Sequence, residues 1–189
     1  MSKTLGNGID PIDIANKFGA HAGRMSLIIG NTPGTDMNIS EDKVKAYKNF
    51  ANKIWNITRF ILESVKEEKF DKNFIAFSDI DKTLTEERDN ILKDITKDME
   101  EYRFYMAGDK IYQYTWKKFA DVILEESKKI FNEGKEEDKK SRKQFLLGTL
   151  RLIIASLHPF MPFVTEEIWQ SIKEKEDNIL MIENWPIKS

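Results

Sequence analysis

A chain of 189 residues, 40% hydrophobic and 33% charged with five prolines, is long enough to bury one core and too apolar to remain disordered. No apolar run approaches the roughly 20 residues needed to cross a bilayer, and the N-terminal MSKTLGNG lacks a basic-then-apolar export signal, so the chain reads as cytoplasmic. Absence of cysteine excludes disulfides and thiolate metal sites, and the only histidines, His21 and His158, are too distant in sequence for a local metal motif.

The first nine residues, with two glycines, read as a loop. Asp10 is placed to cap a short helix with Pro11 at its first position, and Gly19 to end it. A second short helix is predicted over Ala20 to Ile29. The run Asn31 to Asp36 is turn chemistry, because Pro33 presets its own φ and Gly34 accepts a positive one. It divides residues 1–39, a connecting stem, from a bundle over 40–173 and an extended tail over 174–189.

Ser40 caps a long helix reaching about Lys66, with Glu41 and Asp42 in its first turn, where carboxylates meet the positive end of the dipole. Tyr47, Phe50, Ala51, Ile54, Thr58, Ile61 and Val65 recur at helical spacing and make its apolar side. Opposite them lie Asn49, Asn52, Lys53, Asn56 and Arg59, and at 100° per residue Phe60 falls beside Asn49, Lys53 and Asn56. From Lys43 to Leu62 the helix carries five cations and no acid, a window of +5 in a chain of net charge −2.

A polar linker over Glu67 to Lys82 precedes a second long helix marked by Ile91, Leu92, Ile95, Met99 and Tyr102, closing near Tyr105 to Gly108. A third carries Tyr112, Trp116, Phe119 and Ile123 as a core stripe and reaches about Asn132, with the charged run Lys135 to Lys140 as a solvated turn. A fourth, about Asp138 to Leu157, is apolar on most sides and should lie at the centre. Pro159 breaks it, and Pro162 starts a final helix ending near Lys173. Four long helices with short connections predict an all-α antiparallel bundle.

Several segments carry a family resemblance. MSKTLGN resembles the second signature motif of class I aminoacyl-tRNA synthetases, KMSKS followed by LGN, with the leading lysine absent. IDPIDIANKFGAHAGRM is similar to the family's IDPLDVIEKYGADALRF, with His21 and Gly23 in place of the usual Asp and Leu. The Pro33-Gly34-x-Asp36 turn, Ser40 and the run NFANKIWN from Asn49 to Asn56 resemble the valyl branch. TWKKFADVILEESK around Trp116 to Lys128 and LHPFMPFVTEEIW from Leu157 to Trp169 continue the match in order. Val122 and Ile123 depart from the aromatic pair that usually follows Asp121.

The resemblance implies a bundle that reads the anticodon loop of valine tRNA, within an enzyme that joins valine to that tRNA using ATP and Mg. It implies that Lys3 contacts the ATP phosphates, with Ser2 and Thr4 shaping the loop around it. A lysine so placed stabilises the charge that builds on the α-phosphate and departing pyrophosphate. No HIGH motif or strand-rich nucleotide-binding segment is present, so this chain is not expected to be catalytically competent alone or to hold ATP. It would work beside the catalytic and editing domains of the same enzyme.

Unpaired bases stack on aromatic rings, while amides and cations read their edges and phosphates. The candidate tRNA-binding residues are therefore Asn49, Asn52, Lys53, Asn56, Arg59 and Phe60. The alternative for Phe60 is packing against a neighbouring helix. The competing functions are a freestanding synthetase-derived tRNA-binding or scaffolding bundle, and the isoleucyl or leucyl counterpart.

Overall fold

The computed structural model describes residues 10–30, 34–35, 39–66, 68–74, 76, 78–174 and 177–186. Helix α1 (Pro11–Phe18) starts as its sequence requires, with Asp10 accepting from the Ile12 amide at 2.8 Å and Pro11 in the first turn. Gly19 then takes φ +90°, a conformation costly for any residue with a Cβ, and turns the chain into α2 (Ala20–Ile28). A Cβ on Gly23 would lie 3.1 Å from the Ile14 side chain, so the missing side chain is what lets α2 lie this close to α1. Ala22, Met25 and Ile29 are buried in the same core as the bundle.

Helix α3 (Glu41–Val65) is capped by Ser40, whose hydroxyl accepts from the Lys43 amide at 3.2 Å. Its buried side is Val44, Tyr47, Phe50, Ile54, Ile57, Thr58, Ile61 and Val65, the predicted stripe widened by Val44 and Ile57. Helix α4 (Asp79–Glu100) begins earlier than the linker reading allows, with Asp79 and Asp81 in its first turn. It also ends sooner. Tyr102 takes φ +59°, and Arg103 closes the turn by donating its backbone N–H to the Asp98 carbonyl at 2.8 Å and its side chain to the Asp98 carboxylate.

The third long helix is continuous from Phe104 to Glu133 but changes pitch twice, as α5 (Phe104–Gln113), a π-helical segment (Tyr114–Ile123) and α6 (Leu124–Glu133). Nothing in the apolar spacing marks the wide segment, which interrupts an otherwise α-helical run. Two residues separate α6 from α7 (Glu136–Leu157), so most of the predicted charged turn is instead the first helical turn, with Glu136, Glu137 and Asp138 at its positive end.

Helix α7 is the centre, buried on nearly every side from Ser141 to Leu157. After the Pro159 elbow comes α8 (Pro162–Ile172). The tail is not wholly extended. Leu180–Ile182 form a 3-10 turn that buries Leu180, and Trp185 donates its indole N–H to Thr96 at 2.8 Å. The architecture is all-α throughout the described residues, and none of their helices is long and apolar enough to cross a membrane.

Candidate nucleic-acid interface

Helix α3 buries one side against the bundle and leaves a strip outside. Asn49, Asn52, Asn56 and Arg59 are all exposed on it, so four of the six predicted residues share one solvent-facing surface. Arg59 reaches Glu63, one turn on, only at 4.0 Å, with both side chains well exposed. An ion pair that open to water contributes little and is readily exchanged.

Lys53 is placed differently. Its ammonium lies 2.8 Å from Asp121 and 5.3 Å from the centre of the Trp116 ring. Both partners belong to the π-helical segment, whose Trp116 also stacks on Phe50 with ring centres 6.1 Å apart. Folding therefore brings an acid to the edge of a face that carries none locally.

Phe60 occupies the other end of the same flank. It is half-buried against the core, and the Lys128 ammonium sits 5.7 Å from its ring centre. The ring also lines a cavity of about 510 Å³ between the end of α3, the end of α6 and the start of α7. Glu63, Ser64 and Lys66 of the α3 end, Lys128, Phe131 and Asn132 of α6, and Glu136, Lys139 and Lys143 of α7 line the rest, so two carboxylates share the wall with the lysines. Each of the lysines from α6 and α7 also has an acid: Lys128 with Glu125 at 2.7 Å, Lys139 with Glu136 at 2.9 Å, Lys143 with Glu68 at 3.3 Å. The volume is ample for a planar heterocycle beside an aromatic wall, with an amide to read its edge and ammonium groups toward a phosphate.

Ser2, Lys3 and Thr4 lie outside the described residues. Among residues the sequence reading passed over, Trp55 is 41% exposed on α3, beside Asn52 and Arg59 in the helical projection. The periodicity already contained it. Phe131, Asn132 and Lys139 could not be found that way, since they meet Phe60 only through folding. His158 is a helix-end partner, its Nδ1 2.8 Å from the Thr165 hydroxyl, and Glu125 with Lys128 is a surface pair.

Comparison with known proteins gives this geometry its setting. The family model described as the anticodon-binding domain of tRNA ligase matches residues 81–189. The chain is 38% identical over 188 residues to a valine--tRNA ligase of Bacillus thuringiensis subsp. konkukian, covering 98% of the chain and 21% of that protein. It is 40% identical over 191 residues to the valine--tRNA ligase of Pelagibacter ubique, again 98% of the chain and 22% of the relative. The chain thus spans about a fifth of the length of these curated relatives. A solved LeuRS–tRNA–LeuAMS ternary complex of Agrobacterium radiobacter shares the fold, with a TM-score of 0.73 at 22% identity over 98% of this chain and 22% of that one. With more than half its length matched by the family model, this chain belongs to the anticodon-binding domain family of tRNA ligases.

Proposed function

We propose that this chain is the anticodon-reading bundle of a valine–tRNA ligase, and that α3 meets the anticodon loop. The observation that carries the reading is the exposed strip Asn49, Asn52, Asn56 and Arg59, continued at its end by the Phe60 cavity. Phe60 stacks an unpaired base there, the amides and Arg59 read base edges, and Lys53 answers a phosphate once it exchanges Asp121 for RNA. In the full-length enzyme Lys3, shaped by Ser2 and Thr4, stabilises charge on ATP during adenylate formation, and the working place is the cytoplasm.

Fluorescence anisotropy of valine tRNA binding at fixed salt tests this. Phe60→Ala should weaken binding by about 1–3 kcal/mol, the usual worth of a base–aromatic stack. Unchanged affinity in a folded variant removes the stacking role. Changing the two anticodon bases shared by valine codons should abolish the preference over isoleucine and leucine tRNAs, and indifference to those bases would favour a scaffolding bundle.

A further inference from the structure

Helix α8 opens without a cap of its own. Met161 at its N-cap position makes no side-chain bond to the helix, Pro162 has no N–H, and the first intrahelical bond is Thr165 N–H to Met161 O at 3.2 Å. The Val164 amide is therefore one of the orphan donors every helix start leaves. It is satisfied from another helix: Val164 N–H donates to Nε2 of His21 on α2 at 3.2 Å. The His21 ring lies 5.5 Å from the Phe163 ring, and one turn along α2 Arg24 donates to the carbonyls of Pro159 at 2.8 Å and Phe160 at 3.1 Å. Two side chains of the stem thus hold both sides of the α7–α8 elbow, His21 its amide and Arg24 its carbonyls.

The two contacts differ in one respect. An arginine donates at any ordinary pH, whereas an imidazole accepts at Nε2 only when neutral, with its proton on Nδ1. That Nδ1 is buried with no hydrogen-bond partner. Protonation would turn Nε2 into a donor facing another donor, and would set a cation at the positive end of α8.

We propose that His21 is a positioning residue that pins the α1–α2 stem to the start of α8, fixing the stem's angle at that junction while its ring is neutral and loosening it when protonated, with Arg24 and the buried Ala22, Met25 and Ile29 still keeping the stem on the bundle. Burial and the nearby Arg24 charge hold His21 below the ordinary imidazole value, so the pin is set at neutral pH and fails on acidification. Among the other charged or titratable groups near the elbow, His158 is bonded to Thr165, Glu166 accepts from Gln170 and from the Leu180 amide, and Glu167 is exposed one turn along α8 from Val164.

The chain contains no cysteine, so nitroxide labels at Asn16→Cys on α1 and Gln170→Cys on α8 report the angle as a distance distribution. It should be narrow at about pH 8 and broad at about pH 5, either side of the ordinary imidazole range, with protection of the Val164 amide falling about tenfold. In His21→Gln, whose amide oxygen reaches about as far as Nε2 and does not titrate, it should stay narrow at both. A wild-type distribution indifferent to pH overturns the proposal. So does acid broadening that persists in His21→Gln, which would assign it to His158. Nitrogen shifts of the wild-type imidazole give a check needing no variant, and a neutral ring protonated at Nε2 also overturns it. No RNA is involved, so failure here leaves the anticodon reading standing, and the reverse holds for Phe60→Ala.

Discussion

Arg142 Nε donates to Asp81 Oδ1 at 2.6 Å, and both side chains are 1% exposed. The same guanidinium reaches the Ser127 hydroxyl at 3.1 Å, so one buried cation joins α4, α6 and α7. Two charges so far from water cost several kcal/mol each to desolvate, and their mutual bond offsets that only while both are present. Asp81→Ala should therefore lose about 3–5 kcal/mol, as an unpaired buried charge does. The double variant Asp81→Leu with Arg142→Met should recover most of it, and urea unfolding of the three proteins measures the difference.

Lys53 and Asp121 give the opposite case, since their side chains remain 33% and 47% exposed. Asp121→Asn should change stability by less than about 1 kcal/mol. It should strengthen tRNA binding a few-fold, by freeing Lys53 and removing a negative charge from the RNA's approach. Lys53→Ala should weaken binding of every tRNA and lower the magnitude of the log–log salt slope by about 0.7, the value for one phosphate on a single strand. Titrations at several salt concentrations distinguish the two variants.

Stability should fall toward both ends of the pH scale. Burial holds His21 and His158 below 6.5 in the folded chain. The unfolded imidazoles therefore take up protons first, and stability drops as pH falls below 6.5, levelling once the folded rings protonate too. At the alkaline end burial, with Tyr112 and Asp109 nearby, pushes Tyr47 from 10.0 up to about 12, and burial raises Tyr114 as well. The unfolded phenols ionise first, so stability is full below pH 10 and is lost as pH rises from there. The denaturant midpoint across the pH range checks both flanks.

Gly108 sits where α5 meets the end of α2, and a Cβ there would lie 3.0 Å from Ile29 Cγ1 and 3.4 Å from the Phe160 ring. Both neighbours are buried. Gly108→Ala gains about 1 kcal/mol of helix propensity, but crowding a closed seam costs about 1–3 kcal/mol. A net loss is expected, and thermal unfolding beside an exposed helical control measures it.

Which residues of α3 share a face was legible from spacing, because an α-helix sets side-chain direction locally. The caps at Asp10 and Ser40 were legible for the same reason. The π-helical segment was not, nor was the early close of α4 at the Tyr102 turn, since packing and the Arg103–Asp98 bonds select both.

What the sequence determined alone was the all-α class, the amphipathic α3 with its exposed amide strip, and the family resemblance. Tertiary structure decided how those parts are engaged. Asp121, 68 residues beyond Lys53, neutralises part of the cationic face, and Phe131 and Lys139 line one cavity with Phe60. Val164, 143 residues from His21, finds its cap on the stem. Periodicity reports the direction of a side chain on its own helix, and the group it meets across the bundle is set by how separate helices pack.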